Sequence, residues 1–376
     1  MNGLSDAPVI SSARLREVAS VLPQRARNSW LMEVACLAAG FDTLRLRSTA
    51  VMALRSGDSP PIPFWGTASP LTSATAHRAT ISRVMRRQLL QDAGVRVPPS
   101  QTYFKADREH AVRYAERIGY PVVVKPVERG GSVAPFPPQW SAEGVRQAID
   151  GMRRADLRRP GNASPKYRVL VEKVALGGPH EALVIGDRVR GVMREDAHGQ
   201  TRLIADPEAL EQQMHPSVGH RAITAMQAMQ GLDHAAVTVH AEDLSRPAEE
   251  QDCAVTSLWA NPSFWRPGIP AAWALQFAMQ VVERSVQVAG AQVAWRSPDA
   301  DVAATLTLSG ATDPDALEGH MRRAMPASRP QTRLEVDHQD GCATVRAQGA
   351  LVEVAALSSS AFTHEHPVQS AEVAVR

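Results

Sequence analysis

The chain has 376 residues, 44% of them hydrophobic and 21% charged, with a formal net charge of +2. It is too long for one small core, has the composition of a soluble globular protein, and carries no basic or acidic field that would argue for nucleic acid or a membrane surface. No apolar run approaches the ~18 residues of a membrane span, and the start "MNGLSDAPVISS" lacks a charged segment followed by an apolar one. Cys36, Cys253 and Cys342 are far apart and form no CxxC, so neither a disulfide framework nor a structural zinc is expected, and the expected compartment is a reducing cytoplasm.

In chain order, residues 25–57 read as a helix followed by a short strand, with Leu31, Val34, Ala35 and Ala38 at helical spacing. "GDSPPIPFWGTASPLTS" is a loop by its Pro, Gly and Ser content. "HRATISRVMRRQLLQDAG" reads as one helix stopped by Gly94, whose arginines Arg83, Arg86 and Arg87 form a solvated basic face. A helix in "ADREHAVRYAERIG" leads to the strand "YPVVVKPV", and a polar helix is expected over 141–156. "YRVLVEKVA" and "EALVIGDRVRGVMRE" have strand composition, with Gly186-Asp187 as a hairpin turn. Helices near 219–231 and 270–288 bracket two further strands. Residues 301–376 then alternate strand, helix, strand, strand, helix, strand.

The order "QLLQDAGVRVPP", "IGYPVVVKP", "VLVEKV", "ALVIGDRVRGVMR", "GLDHAAVTVHAEDLSRP" and "LWANPS" resembles the ATP-grasp superfamily, in the branch of the cyanophycin-synthetase and RimK-type carboxylate–amine ligases. The likeness covers roughly residues 26–290. It implies an α/β (α+β) fold of two ATP-grasp lobes: a pre-ATP-grasp region over 1–95, a central lobe over 96–170 and a C-terminal lobe over 171–295. A small ferredoxin-like α/β module over 301–376 completes the expected organisation.

In such enzymes the phosphates of ATP require cations, and magnesium requires oxygen ligands at about 2.0–2.1 Å, supplied by an Asp and a Glu-x-Asn on neighbouring strands. Transferred by position, the resemblance makes Lys125 and Arg83 the phosphate-facing cations and Glu172-Lys173-Val174 the adenine hinge; a further phosphate-facing arginine aligns with Glu195, which leaves the adjacent Arg194 as the candidate contact. The glycine-rich flap shrinks to "VERGGSVAP" with Gly130 and Gly131, and Pro179 and Glu181 stand where an acid and an arginine are expected. The metal positions carry Thr238, Ser257 and Trp259, none of them a carboxylate, and the indole offers only an N–H. Filling of the vacated cleft by Trp259 is the expectation. Asn261, two residues on, is the best candidate to replace a ligand, and Asp243 and Glu242 fall in a connection.

Residues 301–376 resemble the acylphosphatase fold, with Asp340-Gly341 and Gln348-Gly349 in turns. Glu318 and Asp337 then stand where a phosphate-binding Arg and a water-positioning Asn are expected. His364 and His366 read as a polar surface loop.

These readings predict an ATP-grasp scaffold with no catalytic residue and no metal ligand, in which ATP binding is open and magnesium is not expected. It would be a non-catalytic partner of a homologous ATP-grasp ligase, or of itself in an oligomer, with no nucleic acid or membrane partner. A diverged ATP-dependent carboxylate–amine ligase and a nucleotide sensor without turnover remain the alternatives.

Overall fold

The computed structural model describes residues 10–376 except 48, 55–59, 128–136, 158–167, 197, 199, 207, 311–312, 324–333, 340–341 and 363–367. Gly130, Gly131, Asp340, Gly341, His364 and His366 lie outside the described residues.

From the N-terminus, α1 (Ser12–Ala19) and α2 (Arg27–Ala38) precede β1 (Asp42–Arg47), β2 (Ala50–Leu54) and β3 (Ile62–Trp65). Then come α3 (Ala74–Ile81), α4 (Arg83–Asp92), β4 (Ser100–Phe104), α5 (Arg108–Ile118), β5 (Val122–Pro126), α6 (Ala142–Leu157) and β6 (Arg168–Lys173). The hairpin β7 (Gly178–Ile185) and β8 (Arg188–Glu195) is followed by β9 (Thr201–Ala205), α7 (Leu210–Gln213), α8 (Pro216–Gln227), β10 (His234–Ala241) and β11 (Ala254–Trp259). After α9 (Ala271–Val288), the chain ends with β12 (Asp301–Ser309), α10 (Pro314–Arg323), β13 (Leu334–Gln339), β14 (Cys342–Ala350), α11 (Leu351–Ser360) and β15 (Ser370–Val375). The fold is mixed α/β, built on antiparallel sheets.

These elements fall into two compact units. The first comprises residues 1–71, 196–203 and 261–376, and the second residues 72–195 and 204–260.

The first unit carries a seven-stranded sheet in the order β13-β14-β12-β15-β1-β2-β3. Within it, β12 to β15 follow the βαββαβ order with antiparallel pairing, the arrangement of a ferredoxin-like module. This segment does not stand apart, because β15 pairs with β1 and extends the sheet to β3. Gln348 and Gly349, expected in a turn, are inside β14 opposite Ala303 and Val302, where continued alternation keeps the strand in register. Glu318 forms an i,i+4 pair with Arg322 at 2.6 Å on α10, and Asp337 is exposed on β13 opposite Thr344. A buried polar knot ties α2 to β1 and α11: Arg45 pairs with Glu33 at 2.5 Å, and Glu33 also accepts from Thr43 and Ser358. Cys36, also on α2, is fully buried, and burial, with Glu33 nearby, pushes its thiol far above the usual range.

The second unit holds two sheets. In β4-β6-β5, Val122, Val124, Val169 and Val171 point to one face, as a period of two requires. Onto that face pack Ala111, Val112 and Ala115 of α5 and Val145, Ala148, Ile149 and Met152 of α6, at helical spacing. Each Val, Ile or Met among them contributes about 1.5–3 kcal/mol when fully buried. The other sheet sets β11, β10, β7 and β8 side by side in that order, and its Val237, Val239, Ala182, Val184 and Val192 pack against Val218, Ala222 and Ala225 of α8.

The helix read as continuous from 77 to 94 is broken at Ser82. Its backbone is extended (φ −76, ψ 112), and its hydroxyl caps α4 by accepting from the Met85 N–H at 3.4 Å. A serine can satisfy a helix start in this way, and here that local bond overrides the helical period. Gly94 stops α4 in the left-handed region at φ +71, with Val95 N–H returning to the Leu90 carbonyl.

Candidate functional site

The face of β4-β6-β5 away from α5 and α6 carries Val123 and Lys125 from β5, Glu172 from β6 and Ser100 from β4, by the pairing Val123↔Glu172↔Ser100. Glu172 is buried, and its carboxylate is shared: Lys125 Nζ donates to Oε1 at 2.6 Å and Arg87 Nη1 to Oε2 at 2.8 Å. The expected hinge residue is thus the anchor of the expected phosphate cation.

The basic face of α4 is not a solvated one. Arg86 is only 5% exposed and donates to the Thr80 carbonyl at 2.7 Å, and burial, then the neighbouring Arg83 charge, lowers its pKa to about 10. Arg83 Nη1 donates to the Pro126 carbonyl at 2.5 Å, which places it at the end of β5 beside Lys125. Among the charges that reach Arg86, those of Arg83 and Arg87 are positive and that of Glu172 is negative. Nε and Nη2 of Arg87 and Oγ of Ser100 are buried without a hydrogen-bond partner among the described residues. Buried donors of this kind call for an acceptor, and a cluster rich in guanidinium calls for an anionic one. These residues fit a phosphate-bearing ligand.

The other hinge residues serve the chain itself. The strand pleat sends Lys173 to the opposite face, where its ammonium donates to the Gly119 and Tyr120 carbonyls at 3.0 and 2.8 Å. The N–H of Val174 donates to the Pro121 carbonyl at 3.1 Å. Arg194 does not join the site. It shares the side of β8 that carries Val192 and the α8 core, and its guanidinium lies over Gly178, near His180. Counting two residues along β8 from Val192 would have predicted this.

On β10 and β11 the expected metal positions do face each other. Thr238 pairs with Ser257, and Ala236 with Trp259, on the side opposite the α8 core. Thr238 also pairs with Glu181 of β7, so the row reads Glu181, Thr238, Ser257 across three strands. Trp259 is 45% exposed at the end of its strand, so it does not fill the cleft as expected. Asn261 accepts from the N–H and hydroxyl of Thr67 at 2.8 and 2.6 Å and is committed to holding that turn. Asp243 accepts from the N–H and hydroxyl of Ser245, a turn role that holds its carboxyl below the usual range.

Two hydroxyls and one carboxylate stand where the resemblance implies two acids and an amide for magnesium. Among the described residues, no three His, Cys, Asp or Glu side chains come close enough to hold a metal ion. The residues present do not fit a magnesium pair held as the resemblance implies.

Sequence reasoning missed His240, two residues beyond Thr238 on the same face. Its pKa is lowered by burial, against the Gly177 carbonyl at 3.4 Å, and the charges of Lys125 and Glu172 both reach it. The i+2 position was the available signal. Also missed was Arg87, which the α4 spacing of i+4 from Arg83 could have singled out.

Residues 82–175 match the family described as carbamoyl-phosphate synthase L chain, ATP binding domain. This segment is similar to an ATP-binding domain. It contains α4, β5 and β6, and with them Arg83, Arg87, Lys125 and Glu172. Among solved structures, the chain is similar to the ATP-grasp ligase PsnB complexed with a minimal precursor, at 18% identity and a TM-score of 0.39 over 56% of this chain and 62% of that one. It is also similar to the bifunctional glutathione synthetase of Pasteurella multocida, at 15% and 0.44 over 68% and 43%. The D-alanine–D-alanine ligase of Bacillus anthracis matches at 14% and 0.43 over 58% and 71%. The chain thus spans less than two thirds of the first two. Among the described residues, no helix is long and apolar enough to cross a membrane.

Proposed function

We propose that this chain is an ATP-grasp-type protein that binds a nucleotide but has lost metal-dependent ligation, and that it works as a non-catalytic or regulatory partner of an active ligase. The observation that carries the reading is the Thr238–Ser257 pair, two neutral hydroxyls at the paired strand positions where the resemblance asks for carboxylates. The cationic set around Glu172, within the segment similar to an ATP-binding domain, supports retention of nucleotide binding. Here Lys125 and Arg87 would hold phosphate oxygens, and Glu172 would position both cations. Calorimetry with ATP, with and without magnesium, tests it together with an ADP-release assay over amine and carboxylate panels. The expected result is binding that gains little from magnesium, no ADP release, and co-purification with a ligase on co-expression. Magnesium-dependent ADP release, or a chain recovered only as a lone monomer, would overturn it.

One observation favours a second reading, a diverged carboxylate–amine ligase. Glu181 sits directly beside Thr238 in the row, so one acid has a place there despite the lost Asp. On this reading Glu181→Gln removes magnesium-dependent turnover; on the first it leaves ATP binding and its magnesium response unchanged.

A further inference from the structure

The first unit holds a cavity of about 350 Å³, within the size range of small-molecule sites. Arg16 enters it from α1, Ser20 from just beyond that helix, Gln24 from the turn into α2, Arg27 from the start of α2, and Trp265 and Arg266 from the segment before α9. Among the described residues, no acidic side chain lines it.

Two of the arginines are held in place by backbone. Arg16 Nη2 donates to the Ile269 carbonyl at 3.0 Å and Arg27 Nε to the Leu22 carbonyl at 3.1 Å, and neither pairs with a carboxylate among the described residues. The aromatic wall is equally fixed. Trp265 meets Trp30 edge-on at 5.6 Å and 80°, and the N–H groups of Phe264 and Trp265 both donate to Asn28 Oδ1, at 3.2 and 3.0 Å. Asn28 Nδ2 in turn donates to Ser263 Oγ at 3.0 Å, so α2 pins the whole 263–265 segment.

Guanidinium groups gathered around one concave space repel one another until an anion joins them, and their planar forks match carboxylate and phosphate oxygens. The rest of the lining, including Ile269 and Ala274, is apolar. A ligand that satisfies both halves has charge at its ends and a short apolar body.

We propose that this cavity binds a small organic dianion, with its anionic groups on Arg16 and Arg27 and its body against Trp265. Nothing in this inference depends on the nucleotide reading, which concerns residues of the second unit. A dicarboxylate and a phosphate monoester share the required chemistry, and glutarate and phenyl phosphate serve as the separate probes.

The test is calorimetry of the full chain at low salt with each probe, for the native protein and for Arg16→Gln and Arg27→Gln. At least one probe is expected to bind, to weaken with added salt, and to lose about tenfold or more in affinity in either variant, as the removal of a charge-assisted hydrogen bond implies. Arg188→Gln, at an exposed arginine that opens β8, is expected to leave probe binding unchanged. Absence of heat with both probes, or equal affinity in native protein and variants, overturns the proposal. Arg16 is exposed, so Arg16→Gln keeps the fold and decides the matter if Arg27→Gln does not fold. Glutarate alone binding assigns a dicarboxylate, and phenyl phosphate alone a phosphate ester.

Discussion

Lys125 and Glu172 lie 2.6 Å apart on neighbouring strands of the three-stranded sheet, and Arg87 reaches the second oxygen of the same carboxylate at 2.8 Å. With Glu172 only 4% exposed in its side chain, Glu172→Gln would leave two partly buried cations without a counter-charge. Breaking a buried pair in this way costs about 3–5 kcal/mol, with the lower end expected because both cations keep some solvent. The variant should melt earlier than the native protein, and added phosphate should restore more of its stability than it adds to the native chain, as thermal denaturation would read.

The row Glu181, Thr238, Ser257 invites reconstruction. Thr238→Asp with Ser257→Glu would set three carboxylates side by side, which repel strongly without a cation. The double variant should be less stable than the native protein in a chelator and should be stabilised by magnesium, as a ligand that binds only the folded state must do. A melting temperature indifferent to magnesium would mean that the two strands no longer present these positions to a common site.

His180 and His240 are both held below the ordinary histidine range. Burial is the largest cause for each, with the Arg194 charge next for His180. For His240 the Lys125 charge acts in the same direction, while the Gly177 carbonyl opposes it. Below the unfolded value of about 6.5 the unfolded chain therefore binds protons that the folded one refuses. Their contribution to stability is full above that pH and is lost as the pH falls below it towards the depressed folded values. Urea midpoints should fall between about pH 7.5 and about pH 5.5, and His180→Gln with His240→Gln should flatten that slope.

Gly177, just before β7, has φ +75, and a Cβ there would collide with the Ala241 carbonyl at the end of β10. Gly186, in the β7–β8 turn at φ +59, has open space around the same atom. Gly186→Ala should therefore cost only the left-handed penalty of about 1–2 kcal/mol, and Gly177→Ala clearly more, since β7 must move from its neighbour. Denaturant midpoints of the two variants compare the effects directly.

Much of this architecture was legible because period-two and helical patterns report burial. "VVVKP" gives both the core face of Val122 and Val124 and the opposite face of Lys125, and the Gly186-Asp187 hairpin appears where its turn chemistry places it. Three features were not legible, each for a physical reason. Ser82 could equally continue a helix or cap the next one, and only tertiary packing chose. Arg86 looked solvated because its charge says nothing of a carbonyl acceptor such as that of Thr80. The use of Asn261 by Thr67 joins residues far apart in the chain, which no local pattern encodes. At the candidate site the pairing of Thr238 with Ser257 followed from the strands, while the convergence of Arg87 and Lys125 on Glu172 needed three elements to meet.

The pairing of β1 with β15 bears on how the chain acquires its form during synthesis. Thr43, Leu44 and Arg45 meet Val373, Glu372 and Ala371, so the early strands leave the ribosome long before the strand that covers their edge exists. Until then β1 presents an open row of peptide groups, the kind of template on which chains stick together. Nascent protein should consequently depend on holdase chaperones until β15 has been made, and a fragment truncated before β12 should appear in inclusion bodies rather than as a smaller working scaffold.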